Sequence, residues 1–207
     1  MRITGLYLAA GRSSRMGRPK LSLELAPGRR LGGVALRSLL DSRVARPVIA
    51  VVRPDDPLDW LDGASGEVRA VPCPEAERGM SHSIRRGLRE AMDADADAIL
   101  VALADQPFVH AACLRGLAAT AAADPALDFV ACRYAGYDAP PALFRRSMFP
   151  ALAALEGDKG ARALLTDEAF RGRCVAVTEA ERALDVDTPE GWVRAREVYS
   201  RMFGSEG

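Results

Sequence analysis

Six short apolar runs punctuate the chain, and most are followed by a longer stretch whose apolar residues recur at helical spacing. ITGLYLAAG (3–11), RPVIAVVRP (46–54), GEVRAVPCP (66–74), DAILVALAD (97–105), LDFVACRY (127–134) and RCVAVT (173–178) are the predicted strands. Several are apolar at consecutive positions, the pattern of strands covered on both faces in a parallel sheet. Helices are predicted over 33–41, 81–92, 110–123, 147–155, 160–166 and 189–202. The last has its start written into it: Thr188 can cap, Pro189 can take the first turn, and Glu190 suits the positive end of the helix dipole. Alternation of this kind predicts an α/β fold, a mostly parallel doubly wound sheet with helices on both faces and right-handed connections. GYDAPPALFRR (136–146) breaks the alternation and predicts an antiparallel excursion at the sheet edge. No repeat, low-complexity tract or linker divides the chain, so a single domain over 1–207 is expected.

Composition changes this picture in a few places. Apolar residues make up 49% and charged residues 27%, a globular balance that excludes a disordered or fibrous chain. The formal net charge of +0 argues against a nucleic acid partner, whose phosphates call for a basic excess. Locally the balance tips, because residues 1–30 hold Arg2, Arg12, Arg15, Arg18, Lys20, Arg29 and Arg30 against Glu24 alone. One end of the molecule is therefore expected to attract phosphates, and a small phosphorylated ligand fits better than a polymer. Only two of the 28 basic residues are lysines, Lys20 and Lys159, which suggests that lysine is kept where a compact ammonium matters.

Cys73, Cys113, Cys132 and Cys174 form no CxxC pair, and with only His82 and His110 beside them a zinc site of ordinary spacing is set aside. Cys132 and Cys174 lie in strand-like runs and read as small buried apolar side chains. With a loop motif this close to Met1 no signal peptide is expected, and no window is long and apolar enough to span a membrane. A soluble, cytoplasmic protein with no membrane partner is expected.

In open parallel sheets ligands sit beyond the carboxyl ends of the strands, so the residues after each run deserve inspection. LAAGRSSRMGRPK (8–20) follows the first. Ala9, Ala10 and Gly11 are small enough for a ligand to reach the backbone, and loop N–H groups can bind phosphate oxygens. Arg15 and Lys20 can reach one anion from opposite ends of this loop, with Ser13 and Ser14 as neutral donors. The stretch is neither GxxxxGK[ST] nor GxGxxG, which sets aside a P-loop ATPase and a dinucleotide dehydrogenase. In LADQP (103–107), Asp105 suits Mg²⁺ held against phosphates, or a turn. LDVDTP (184–189) offers Asp185 and Asp187, which can also simply start the last helix. ERGMSHSIRRG (77–87) sets Gly79, Ser81 and Ser83 at a helix start, able to read a nucleobase edge or to cap.

Taken in order, LAAG, R-M-G with lysine, G-M-S-x-S, L-A-D-Q-P and D-V-D-T-P resemble the molybdenum cofactor nucleotidyltransferases over nearly the whole chain, particularly their cytidylyltransferase branch. PALFRRSMFPALAALEGDKGARALL (141–165) resembles the substrate-side segment of that family. The resemblance implies a Rossmann-like nucleotidyltransferase fold and transfer of a nucleoside monophosphate from CTP or GTP to the terminal phosphate of molybdopterin, with release of pyrophosphate and Mg²⁺ as cofactor. It would assign Leu8, Ala9, Ala10 and Gly11 to the nucleotide, Arg15 and Lys20 to its triphosphate, and Gly79, Ser81 and Ser83 to base and ribose. Asp105 and Asp187 would hold the metal, so that Arg15, Lys20 and Asp105 become the expected catalytic groups. Pro141, Asp158, Lys159 and Arg162 would serve the acceptor.

LAAG resembles the cytidylyl branch, whereas the guanylyl branch usually reads LAGG, which favours CTP over GTP. Where many family members carry G-H-P, this chain reads Ala139, Pro140, Pro141, which leaves the acceptor open. A cytidylyltransferase of a sugar- or polyol-phosphate stays as an alternative. So does a chaperone that carries the cofactor to a xanthine dehydrogenase-type enzyme, and a transient contact with such a molybdenum hydroxylase client belongs to the same expectation.

Overall fold

The computed structural model describes residues 1–204 apart from positions 62 and 65. Strands β1 (Ile3–Leu8), β2 (Glu24–Ala26), β3 (Arg29–Arg30), β4 (Val48–Val52), β5 (Val68–Pro72), β6 (Ala98–Leu103), β7 (Phe129–Tyr134), β8 (Tyr137–Arg145) and β9 (Gly172–Val177) alternate with helices α1 (Leu31–Ser42), α2 (Met80–Asp93), α3 (Ala111–Ala123), α4 (Phe149–Ala153) and α5 (Pro189–Phe203). Seven strands make one sheet in the order β5-β4-β1-β6-β8-β7-β9, while β2 and β3 form a separate antiparallel hairpin. Every position of β1 and β4 is buried, as their continuous apolar runs require of strands covered on both sides. Side chains alternate across the sheet. Ile3 and Tyr7 join the core layer under α1, α3 and α5, and Leu6 and Leu8 join the layer under α2 and α4.

Each helix buries one stripe. Leu114 and Leu117 of α3 are fully buried, contributing about 2–3 kcal/mol each. On the other face α2 lies directly on β1, because Gly87 has no side chain: a Cβ there would fall 2.0 Å from Leu6 Cδ1. The start of α5 follows the expectation, with Thr188 Oγ1 accepting from Gly191 N at 3.1 Å and Pro189 in the first turn.

The structure corrects three expectations. β8 is not an edge strand; it inserts antiparallel between β6 and β7, the single antiparallel member of the sheet, and is buried from Ala139 to Phe144. Two prolines are tolerated there because the β7–β8 register shifts, with Ala142 facing Ala131 and Ala139 facing Cys132, and because the pairing with β6 starts only at Ala142. Neither Pro140 nor Pro141 is asked for an N–H. The segment 160–166 forms only a 3-10 turn, Ala161–Leu164, and 147–155 shrinks to the short α4 behind another 3-10 turn, Arg146–Met148. Segments this short gain little from helix propagation, so docking of Ala161 and Leu165 into the core sets their path. Among the described residues no helix is long and apolar enough to cross a membrane.

Candidate active site

A cleft of about 460 Å³ opens at the carboxyl ends of β1 and β6. The loop after β1 forms one wall. Its turn is closed by Ser13, whose carbonyl accepts from the N–H of Met16 and of Gly17, and it is anchored by the buried Met16. Ser13 Oγ accepts from the Lys20 N–H at 3.3 Å, and the buried Leu21 holds the end of the loop in the core. The Lys20 side chain is thereby directed inward and is only 7% exposed.

Two carboxylates meet it. Lys20 Nζ donates to Asp105 Oδ2 at 2.8 Å and to Asp187 Oδ1 at 2.7 Å, and Arg15 donates to Asp187 Oδ2 at 2.8 Å. Asp105 stands just past β6, and its carbonyl accepts from Val186 N at 2.9 Å, which binds the 184–188 segment to the end of that strand. Val186 is fully buried, and Asp185 and Asp187 flank it in the chain, both close to Asp105. Asp187 turns to Lys20, and Asp185 accepts from Gln106 Nε2 at 2.8 Å.

The ionisation of these groups follows from their neighbours. Burial works against the Lys20 ammonium, but Asp105 and Asp187 outweigh it and raise the pKa. Burial also opposes the Asp187 carboxylate, and the bonds from Lys20 and Arg15 reverse that effect and lower it. Asp185 is raised, chiefly by burial and further by the neighbouring Asp105 and Asp187, despite its bond from Gln106.

The opposite wall comes from the turn before α2. Gly79 has φ +121°, and a Cβ on it would lie 2.3 Å from the backbone of Gly157. Ser81 N donates to Gly157 O at 3.1 Å, so glycine lets two loops close on each other. Ser83 lines the cleft. Ser81 does not: two residues away on the helix it faces the interior, fully buried, its hydroxyl without a partner among the described residues.

A second cavity of about 430 Å³ adjoins the cleft and shares Met80, Leu103 and Asp158 with it. Tyr134, Tyr137, Ala139 and Pro140 line it, with the Arg162 guanidinium 5.0 Å from the centre of the Tyr137 ring.

The structure thus brings Leu8, Ala9, Ala10, Gly11, Arg15, Lys20, Gly79, Ser83, Asp105, Asp158 and Asp187 to one cleft and Arg162 to its neighbour. Pro141 is buried inside β8 and lines neither space, whereas Ala139 and Pro140 before it line the second cavity. Lys159 is exposed and lines neither space. The expected basic pole is also smaller than the sequence suggests. Arg2 precedes β1, at the other end of the sheet from the cleft, and pairs with Asp95 and Asp97, while Arg12, Arg15 and Lys20 line the cleft. Sequence reasoning missed Glu77, which pairs with Arg12 across the mouth at 3.6 Å, and the two tyrosines. A turn at Gly136 between two tyrosines was the one available signal for the latter.

The carboxylate pair fits a divalent metal. Both carboxylates converge on one point, where the Lys20 ammonium already stands in as a cation. Among the described residues no three His, Cys, Asp or Glu side chains gather into a ligand set. A divalent cation that also binds phosphate oxygens needs only one or two protein carboxylates, a number that Asp105 and Asp187 would meet.

The model of the MobA-like NTP transferase domain matches residues 5–174. The purine catabolism protein PucB of Bacillus subtilis is 32% identical over 208 residues, covering 96% of this chain and 98% of that protein. A 2-C-methyl-D-erythritol 4-phosphate cytidylyltransferase of Dechloromonas aromatica is 39% identical over 125 residues, 56% of this chain and 53% of the relative. Among solved structures, Rv0371c of Mycobacterium tuberculosis superposes with a TM-score of 0.77 at 31% identity, covering 95% of this chain and 99% of the other. A manganese complex of the same protein gives a TM-score of 0.72, with 28% identity over 95% of this chain and 99% of the other. Kinship runs through the strands and loops that build the cleft: the chain belongs to the MobA-like NTP transferase family and is a nucleotidyltransferase.

Proposed function

We propose that the protein transfers CMP, in preference to GMP, from the nucleoside triphosphate to the terminal phosphate of molybdopterin and releases pyrophosphate, with Mg²⁺ as the metal. The observation that carries this reading is the Arg15–Lys20–Asp105–Asp187 constellation, set in a cleft that opens into a second, aromatic-walled cavity. Attack of one phosphate on another brings two anions together, so the demands are charge neutralisation and in-line positioning, not a protein nucleophile. Among the described residues no cysteine lines the cleft.

The small residues Ala9, Ala10 and Gly11 let the nucleotide phosphates approach the backbone, and Arg15 and Lys20 offset charge that builds on the departing pyrophosphate. Gly79 and Ser83 line the opposite wall of the cleft and are assigned to base and ribose in this reading. Mg²⁺ at Asp105 and Asp187 would supply charge neutralisation between nucleotide and acceptor phosphates. The exposed Tyr137 ring, with Arg162 stacked on it, gives the second cavity an aromatic wall, which suits a planar pterin better than a small polyol. Preference for CTP rests on the LAAG stretch. PucB carries purine catabolism in its name, and a xanthine dehydrogenase-type client would connect that process with a molybdenum cofactor.

The partial likeness to a methylerythritol phosphate cytidylyltransferase favours a second reading, CMP transfer to a polyol phosphate. The test is a binding screen of CTP, GTP, ATP and UTP with Mg²⁺, followed by pyrophosphate release with each acceptor. CTP should bind best and turn over with molybdopterin. Turnover with the polyol phosphate alone selects the second reading. Cofactor binding without pyrophosphate selects a chaperone, and binding of none of the four nucleotides refutes the assignment.

A further inference from the structure

We infer that Lys20 is the resident counter-ion of the carboxylate pair and bars a divalent cation from Asp105 and Asp187 until an incoming triphosphate takes over its ammonium. The inference rests on the reading of the cleft as a site for a nucleotide and its metal. Its basis is the accounting of the carboxylate oxygens: three of the four accept a hydrogen bond from Lys20 or Arg15. The two carboxylates are bonded to two cations, so this pair is neutralised without a metal, while the nearby Asp185 carboxyl is turned to Gln106.

The two cations are held differently. The Arg15 side chain is 68% exposed and its pair with Asp187 is screened by water, whereas that of Lys20 is 7% exposed. A metal arriving alone would have to push the ammonium off both carboxylates and leave it buried without a partner, which is the costly way to break such a pair. A triphosphate changes the balance. The Lys20 backbone is fixed by Ser13 Oγ and by the buried Leu21, but its four-carbon stem lets Nζ cross to an anion on the loop side of the cleft. Nucleotide and metal then favour each other's binding, and the reciprocity is thermodynamic.

Manganese is a suitable probe, since it occupies a solved structure of the mycobacterial relative. Free aquo-Mn²⁺ is followed by electron paramagnetic resonance as the full chain is added without nucleotide. Lys20→Met, which keeps the stem and removes the charge, should bind Mn²⁺ roughly 100-fold more tightly than the wild type. Adding Asp105→Asn to that variant should abolish the gain. Arg15→Gln should change the affinity less than about 5-fold, because its pair is exposed.

Equal Mn²⁺ affinity of the wild type and Lys20→Met overturns the inference. Should circular dichroism show Lys20→Met unfolded, the wild type decides. CTP should bind it at least about 10-fold more tightly with Mn²⁺ than in chelator, and equal affinities again overturn the inference. Missing pyrophosphate release in the acceptor assay would sink the assigned reaction instead, and leaves the nucleotide-free manganese comparison intact.

Discussion

Replacing Gly79 by alanine tests whether the two loops that frame this wall of the cleft touch. The residue has φ +121° and ψ 166°, a region that side-chain-bearing residues almost never occupy. Its added Cβ would lie 2.3 Å from both the carbonyl carbon and oxygen of Gly157 and 2.8 Å from the Asp158 nitrogen, all backbone atoms with no rotamer to yield. Strain of this kind costs about 1–3 kcal/mol. Parting the loops also breaks the bond from Ser81 N to Gly157 O, worth about 0.5–1.5 kcal/mol more. The total of about 1.5–4.5 kcal/mol corresponds to a fall in Tm of roughly 3–18 °C for a chain of this size.

Gly157→Ala is the matched control. Gly157 has φ +56° and nothing within 4 Å of an added Cβ, so it pays only the left-handed backbone, about 1–2 kcal/mol. Differential scanning calorimetry ranks the pair, and CTP titration should show the larger loss of affinity in Gly79→Ala, because Gly79 and Asp158 both line the cleft. Equal Tm values for Gly79→Ala and Gly157→Ala would refute the loop contact.

Three further outcomes follow from separate parts of the molecule. Gly87→Ala should lower stability by about 1–3 kcal/mol in urea unfolding, since its Cβ would overlap Leu6 and crowd Val51, both fully buried; an unchanged midpoint would mean that α2 does not lie against β1. Asp105→Asn should cut pyrophosphate release roughly 100- to 1000-fold with the secondary structure intact, because Asp187 still receives Lys20; a wild-type rate would remove Asp105 from the chemistry. Burial and the nearby Arg182 lower the His110 pKa, so the fold favours the neutral ring while the unfolded chain takes a proton near 6.5. Stability from this source is present above that value and declines as pH falls through it, and His110→Asn should flatten the decline between pH 7.5 and pH 5 in urea titrations.

Strands and helices of the nucleotide side were legible because their periodicity is strong and local. The β2–β3 hairpin was not, since strands of three and two residues carry no pattern. β8 was misplaced for a clear reason: two consecutive prolines normally mark an edge, and the register shift that accommodates them depends on β7, which the sequence of β8 does not encode. In the cleft, residue types and strand ends pointed to Lys20, Asp105 and Asp187, and the structure gathers the three there. What they could not show was that these groups bond to each other, because Lys20 lies 85 and 167 residues from its partners. Ser81 and Ser83 illustrate the opposite situation. A separation of two on a helix turns side chains to different faces, so only one could reach the cleft.

The insertion of β8 bears on how reliably the sheet is assembled during synthesis. β6 is complete at Leu103, yet the strand that covers its free edge ends about 40 residues later, at Arg145, so β6 and β7 wait with open edges for the same partner. A slipped pairing is the hazard in such an interval. Pro140 and Pro141 guard against it. Sliding β8 along β6 by two residues in that direction would bring a proline into the ladder, where the expected N–H is missing, whereas the native alignment keeps both outside it. Pro140, which stands where many family members carry histidine and which lines the second cavity, thus doubles with Pro141 as a lock on strand alignment.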